Sequence, residues 1–184
     1  MAKVAIIIAD QFEDSEYLEP AAAFREAGHL LVHVGLRAGE IVRGKKKGTE
    51  VTVEQAVSEA SPDDFDALLI PGGHSPDNLR ADPRAVAFVK GFMTRIKPVF
   101  SICHGPQLLI TARVLEGRKV TGWKSIVEDI KYAGGEYLDQ EVVIDNNLLS
   151  SRSPADLPAF VEASLAKLAW EPTEYKSRKL GEKL

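Results

Sequence analysis

Lys3 to Ala9 is an unbroken apolar run with no alternation of polar residues, a pattern that suits a strand only when both of its faces are covered. Leu30 to Leu36 and Asp66 to Ile70 repeat the pattern, and so does Pro98 to Ile102. A helical segment follows most of these runs. Glu16 to Ala27 reads as a helix with Leu18, Ala22 and Phe24 among its apolar positions, ended by Gly28, and either beginning near Pro20 or kinked there. Asp82 to Ile96 reads as another, with Asp82 as N-cap and Pro83 in its first turn. Strand, helix, strand, helix predicts an α/β domain with a mostly parallel sheet and helices on both faces.

The remaining segments are weaker signals. Glu40 to Val53 suggests a hairpin or flap around Gly44-Lys-Lys-Lys-Gly48, and Pro71 to Asn78 reads as a turn-rich connection. The pattern further predicts a short strand at Lys119 to Thr121 and a helix over Lys124 to Tyr132. A hairpin turning at Asp145 to Asn147 and a last helix over Pro154 to Leu168, with Ser153 as N-cap, complete it. Residues 1–168 form one domain in this reading, and 169–184 a charged C-terminal tail. Lys45 to Lys47 is read as a solvated hairpin tip.

The chain's single cysteine stands where the strand Pro98 to Ile102 gives way to a helix running from Gln107 to Leu115. A lone cysteine is most often a small buried hydrophobe. This one sits at a strand-to-helix turn, with an imidazole next to it and Gly105-Pro106 opening the helix, which is the geometry of a nucleophile elbow. The helix N-terminus is expected to favour the thiolate and lower the thiol pKa.

Ligands of parallel sheets bind beyond the carboxyl ends of the strands. That rule gathers Asp10 to Glu16, Pro71 to Asn78 and Cys103-His104 at one place. Cys103 is then the candidate nucleophile and His104 its base. Glu16 is a carboxyl group that holds its proton beside sulfur, because two negative charges in one dry site repel. Asp77 is the acid available to orient the imidazole, or else a helix-capping residue. The backbone N–H groups of Gly73 and His104 are candidates for an oxyanion hole. His74 is read as a solvated loop residue, and His29 and His33 as structural.

One cysteine excludes an internal disulfide framework and points to a reducing compartment, here read as the cytoplasm. A formal charge of −4 argues against a general nucleic-acid binder, and no apolar run approaches a membrane span. No Walker, dinucleotide or H-E-x-x-H signature is present, so no cofactor and no metal are expected.

Four segments resemble one family: Ala9-Asp-Gln-Phe-Glu-Asp-Ser-Glu16, Leu69-Ile-Pro-Gly-Gly73, Ser101-Ile-Cys-His-Gly-Pro-Gln107 and Ser150-Ser-Arg-Ser-Pro-Ala-Asp156. They are similar in order and spacing to the ThiJ/PfpI superfamily, most of all to its PfpI-type intracellular cysteine proteases. The resemblance implies a flavodoxin-like three-layer sandwich related to class I glutamine amidotransferases. It also implies a nucleophilic Cys103 contacted by Glu16, with His104 as base and Asp77 as an acid reached across a subunit boundary, hence a homodimer or larger homo-oligomer. Members usually carry glutamate at the position of Asp77. The expected activity is that of a stress-related cysteine hydrolase on peptides. The alternatives are a cofactor-independent glyoxalase or deglycase acting on small carbonyl compounds or their adducts, and a non-enzymatic redox sensor or chaperone.

Overall fold

A computed structural model describes residues 1–46 and 48–169. Apart from Ala169, the charged C-terminal tail lies outside the described residues. In chain order the strands are β1 (Lys3–Ile7), β2 (Leu30–Gly35), β3 (Ile41–Arg43), β4 (Glu50–Thr52), β5 (Gln55–Ala56) and β6 (Ala67–Ile70), then β7 (Val99–Ile102), β8 (Lys119–Val120), β9 (Glu136–Tyr137), β10 (Val143–Asp145) and β11 (Leu148–Ser151). The α-helices are α1 (Asp14–Glu26), α2 (Ser75–Arg80), α3 (Pro83–Thr94), α4 (Pro106–Thr111), α5 (Val127–Tyr132) and α6 (Leu157–Ala169).

The main sheet runs β10-β11-β7-β6-β1-β2-β5, and every pairing except β10 with β11 is parallel. Leaving out the two edge strands, the order is second, first, third, fourth, fifth, which is the flavodoxin-like winding. The non-alternating strand runs have the expected cause. Val4, Ile6 and Ile8 of β1 and its extension enter one core with Tyr17, Ala21, Phe24 and Phe160, whereas Ala5, Ile7 and Ala9 enter another with Phe88, Val89, Phe92 and Leu108. Helices α1 and α6 thus cover one face and α3, α4 and α5 the other.

Several boundaries differ from the expectation. Helix α1 begins at Asp14 and carries Pro20 within it. Proline has no N–H to give the Glu16 carbonyl, yet its ring fits a helix whose stability comes from packing. The packed face of α1 is Tyr17, Pro20, Ala21 and Phe24 rather than Leu18 and Ala22, which are exposed. Residues 75–80, read as a connection, form α2, while α4 stops at Thr111, well short of Leu115. Strand β8 pairs with β9 outside the main sheet, and Gln55–Ala56 adds an edge strand that two residues could not announce. Asp82 does cap α3, accepting from Arg84 N–H at 2.8 Å. Ser153 occupies the expected position ahead of Pro154 but makes no side-chain cap. Asn146 makes the expected β10–β11 turn at φ +51°.

Candidate active site

Cys103 has φ +60°, a left-handed conformation that costs a side-chain-bearing residue on the order of 1 kcal/mol or more. Its surroundings hold it there. Cys103 N–H donates to Ser151 C=O at 3.0 Å, and Trp123 N–H donates to Cys103 C=O at 2.8 Å. A Cβ at position 105 would run into the Ser101 hydroxyl and the Ile70 and Ile102 carbonyls, so the turn closes only on glycine. The strand-to-helix elbow read from the sequence is present, with Cys103 only 7% exposed.

Glu16 reaches this turn from the first turn of α1. Its side chain is 0% exposed, and Oε2 accepts from Gly72 N–H at 2.8 Å. A Cβ on Gly72 would strike Glu16 Oε2 and Cys103 Cβ together, which shows how closely α1, the Gly72-Gly73 loop and the elbow converge. The second oxygen, Oε1, is buried without a conventional hydrogen-bond partner. The carboxyl group nevertheless interacts with the sulfur, and each shifts the other.

Burial raises the Glu16 pKa from 4.5 to about 8, against the opposing pull of Gly72 N–H and of Cys103. Glu16 therefore keeps its proton at neutral pH, as the sequence reading expected. The expectation of a low thiol pKa at Cys103 is overturned: burial first, then the charge of an ionised Glu16, push the thiol up, while the N–H groups of Gly73 and His104 pull it down. A one-and-a-half-turn helix does not offset loss of water. The two groups form one titrating pair. Loss of the first proton near pH 8 leaves a single proton between carboxyl and sulfur.

Gly73 and His104 aim their N–H groups at the sulfur, where they favour the thiolate. Gly73 is fixed at φ +74° by an antiparallel bridge to Phe12. His104 Nδ1 lies 3.3 Å from Cys103 Sγ, a contact between neighbouring side chains that the elbow makes possible. Its Nε2 lies 3.3 Å from Ser125 Oγ. With Nε2–H donated to Ser125, Nδ1 is left to accept the thiol proton. Burial, His74 and Lys45 hold the His104 pKa below its ordinary value, so the ring is neutral and can act as a base.

Asp77 does not orient His104 within this chain. It sits on α2 and accepts from Arg80 Nε at 2.9 Å, acting on His104 only through its charge. Ser125 takes the orienting place, and the Trp123 ring stands 6.3 Å from the imidazole. Neither was singled out in the sequence, since residues 121–126 carry no motif.

The flap is also part of the site. Lys45 N–H donates to Phe12 C=O at 2.7 Å, and Arg43 N–H donates to Asp10 at 2.8 Å. Lys46 N–H donates to the buried Asp14 carboxylate at 3.0 Å. Lys45 and Lys46 then flank Glu13 at 4.0 and 3.7 Å, and the charge of Lys45 reaches both Glu16 and His104. Lys45 and Lys46 are exposed, as the reading of a solvated tip expects, and they also lie beside the site. His29 and His33 do serve structure. Ala2 N–H donates to the first at 3.0 Å, and the second joins Tyr17 at 3.0 Å to Glu54 at 2.8 Å. Among the described residues no group of three or more His, Cys, Asp or Glu is placed to hold a metal ion, and no helix is long and apolar enough to cross a membrane.

The model of the DJ-1/PfpI family matches residues 2–167. Protein/nucleic acid deglycase 2 of Escherichia coli is 53% identical over 90% of this chain and 97% of its own length. General stress protein 18 of Bacillus subtilis is 54% identical over the same shares. A two-domain protein of Anabaena variabilis, containing DJ-1/ThiJ/PfpI-like and ferritin-like domains, superimposes with a TM-score of 0.90 at 39% identity. That alignment covers 92% of this chain and 49% of the larger one.

Proposed function

The chain belongs to the DJ-1/PfpI family, and we propose that it is an enzyme whose Cys103 adds to an electrophilic carbonyl carbon, as a deglycase or glyoxalase does. One observation carries this reading. The group beside the sulfur is a fully buried acid without a cationic partner, and it retains a proton up to about pH 8. Addition of a thiol to an aldehyde forms one S–C bond and moves one proton from sulfur to the new oxygen. Glu16 and His104 together can make that transfer. The N–H groups of Gly73 and His104, which point at the sulfur, are the donors this reading assigns to the developing oxyanion. The deglycase name of one relative and the stress-protein name of another agree with such chemistry on reactive carbonyl compounds.

A peptidase reading is favoured by the 3.3 Å contact between Cys103 and His104. Amide cleavage asks more of the histidine, which must also protonate a leaving amine. In this chain it has Ser125 rather than a carboxylate to support its charged form, and supply of Asp77 by a second subunit would alter that. The deciding experiment is turnover of methylglyoxal, of methylglyoxal-modified amines and of unmodified peptides by the parent and by Cys103→Ser. Cys103-dependent turnover of the carbonyl compounds supports the proposal. Turnover of peptides alone replaces it with the peptidase reading.

A further inference from the structure

Phe12 is the middle one of three backbone segments that lie edge to edge outside the main sheet. On one side it bridges Gly44 of the flap in parallel sense, and on the other it bridges Gly73 in antiparallel sense. Gln11 N–H donates to Arg43 C=O and Lys45 N–H to Phe12 C=O, each at 2.7 Å. Along the other edge, His74 N–H donates to Gln11 C=O at 2.8 Å and Glu13 N–H to Gly72 C=O at 3.2 Å. Those two bonds flank Gly73, whose own N–H points at the Cys103 sulfur. A continuous ladder thus runs from the flap to the nucleophile.

Val42 and Val51 bury the middle of the flap, whereas Lys45, Lys46 and Gly48 at its turn are exposed. Asp14 reaches that turn from the start of α1. Its side chain is in a residue only 7% exposed, and it accepts from Lys46 N–H at 3.0 Å and from the Thr49 hydroxyl. The carboxylate also lies against Gly44, where a Cβ would run into both of its oxygens. A charge at that depth needs its hydrogen bonds, so lifting the turn is opposed by the cost of leaving Asp14 without them. We propose that Asp14 is a positioning residue for Cys103: it holds the flap turn against Phe12, and through Phe12 it fixes the Gly73 N–H at the sulfur. It acts through the flap and not on the reacting atoms. The assignment rests on the reading of Cys103 as the reacting group and adds to it the means by which one of its donors is kept in place.

Amide hydrogen exchange of the full chain, resolved by NMR, reads the two ends of this ladder at Lys45 and Gly73. Asp14→Ala should speed exchange at both ~30-fold, as loss of buried bonds to a charged acceptor implies, and leave Leu69 in β6 within ~2-fold of the parent. For whichever substrate the parent turns over through Cys103, kcat should fall ~20-fold with KM within ~2-fold, because the Gly73 donor is assigned to the transition state. Asp14→Asn keeps an oxygen for Lys46 N–H and should hold kcat within ~3-fold of the parent. Gly44→Ala breaks the same contact from the flap side with Asp14 in place. It should repeat the Asp14→Ala result, and it decides the matter if Asp14→Ala does not fold. Glu50→Gln removes an exposed ion pair with Arg43 on the same hairpin and should change neither readout. Faster exchange at Lys45 with Gly73 and kcat at parental values overturns the assignment. Acceleration shared by Leu69 also overturns it, since that marks a general loss of stability. Because exchange needs no substrate, failure of the carbonyl chemistry would show separately, as absence of Cys103-dependent turnover of carbonyl compounds with the Asp14-dependent protection of Gly73 intact.

Discussion

Glu16 and Asp156 are two acids of nearly equal burial, 0% and 5% exposed, at the same carboxyl end of the sheet. Asp156 meets a guanidinium, and its bonds to Arg152 outweigh burial and lower its pKa. Glu16 meets one N–H of the glycine loop, that of Gly72, a thiol and no guanidinium, so burial wins and raises its pKa to about 8. Asp14 shows the balance between them: burial pushes it up, but the Thr49 hydroxyl and Lys46 N–H outweigh that, and it serves to pin the flap. Burial alone does not set an acid's state. The partner does, and the acid left without a counter-charge is the one beside the nucleophile.

The largest expected effect comes from making Glu16 incapable of giving up a proton. Glu16→Gln should lower turnover ~10²-fold while preserving the fold. Measured against Cys103→Ser, a Gln variant with parental turnover would reduce Glu16 to a helix residue. Asp156→Ala should leave chemistry aside and act on stability instead. Removing Asp156 leaves Arg152 with the exposed Asp139 alone, at a cost of about 2 kcal/mol after allowing for the partial exposure of the guanidinium. Urea unfolding at neutral pH measures it.

The same two acids should pull stability in opposite directions as pH changes. Between pH 4.5 and about 8 the folded chain keeps the Glu16 proton and the unfolded chain does not, so this group's contribution falls as pH rises. Asp156 is held below its ordinary 3.8, so its contribution is present above that pH and lost as pH falls through the folded value. Relative to Glu16→Gln, which carries the same histidines, the parent should lose stability on the order of 1 kcal/mol or more between pH 5 and pH 8, a difference that persists when both also carry Asp156→Asn.

Smaller effects belong to the groups that act on His104. Ser125→Ala should lower kcat ~5-fold, since the ring loses its orienting partner but not its place. Asp77→Asn should change kcat less than ~3-fold if its charge acts only from α2. A larger loss, together with activity per subunit that falls on dilution, would put Asp77 in a neighbouring subunit's site and restore the trans arrangement that the family resemblance implies.

Much of this molecule was legible beforehand because burial on two faces leaves a mark in sequence. The runs at Val4, Leu31, Leu68 and Val99 could hardly be anything but central strands, and Cys103 followed from where one of them stops. Helix α2 escaped because Pro76, Asp77 and Asn78 are turn residues whose helical state is set by packing of Leu79 against the core. Glu16 was readable from the position of its helix. Its proton was inferred from repulsion between negative charges, whereas burial is the larger cause. Ser125 and Trp123 were not readable, since they reach the site through a loop whose course depends on Trp123 N–H meeting Cys103 C=O. The thiol pKa was misjudged for a related reason: a helix start is visible in sequence, but the depth of the sulfur is not.

The account depends most on a single proton. Infrared spectroscopy of the parent chain, with Glu16→Gln subtracted and isotope-labelled glutamate to identify the band, reports the neutral carboxylic acid of Glu16 directly. The band should be present at neutral pH and disappear with a midpoint about 8. Disappearance near 4.5, the ordinary value for glutamate, would contradict the account.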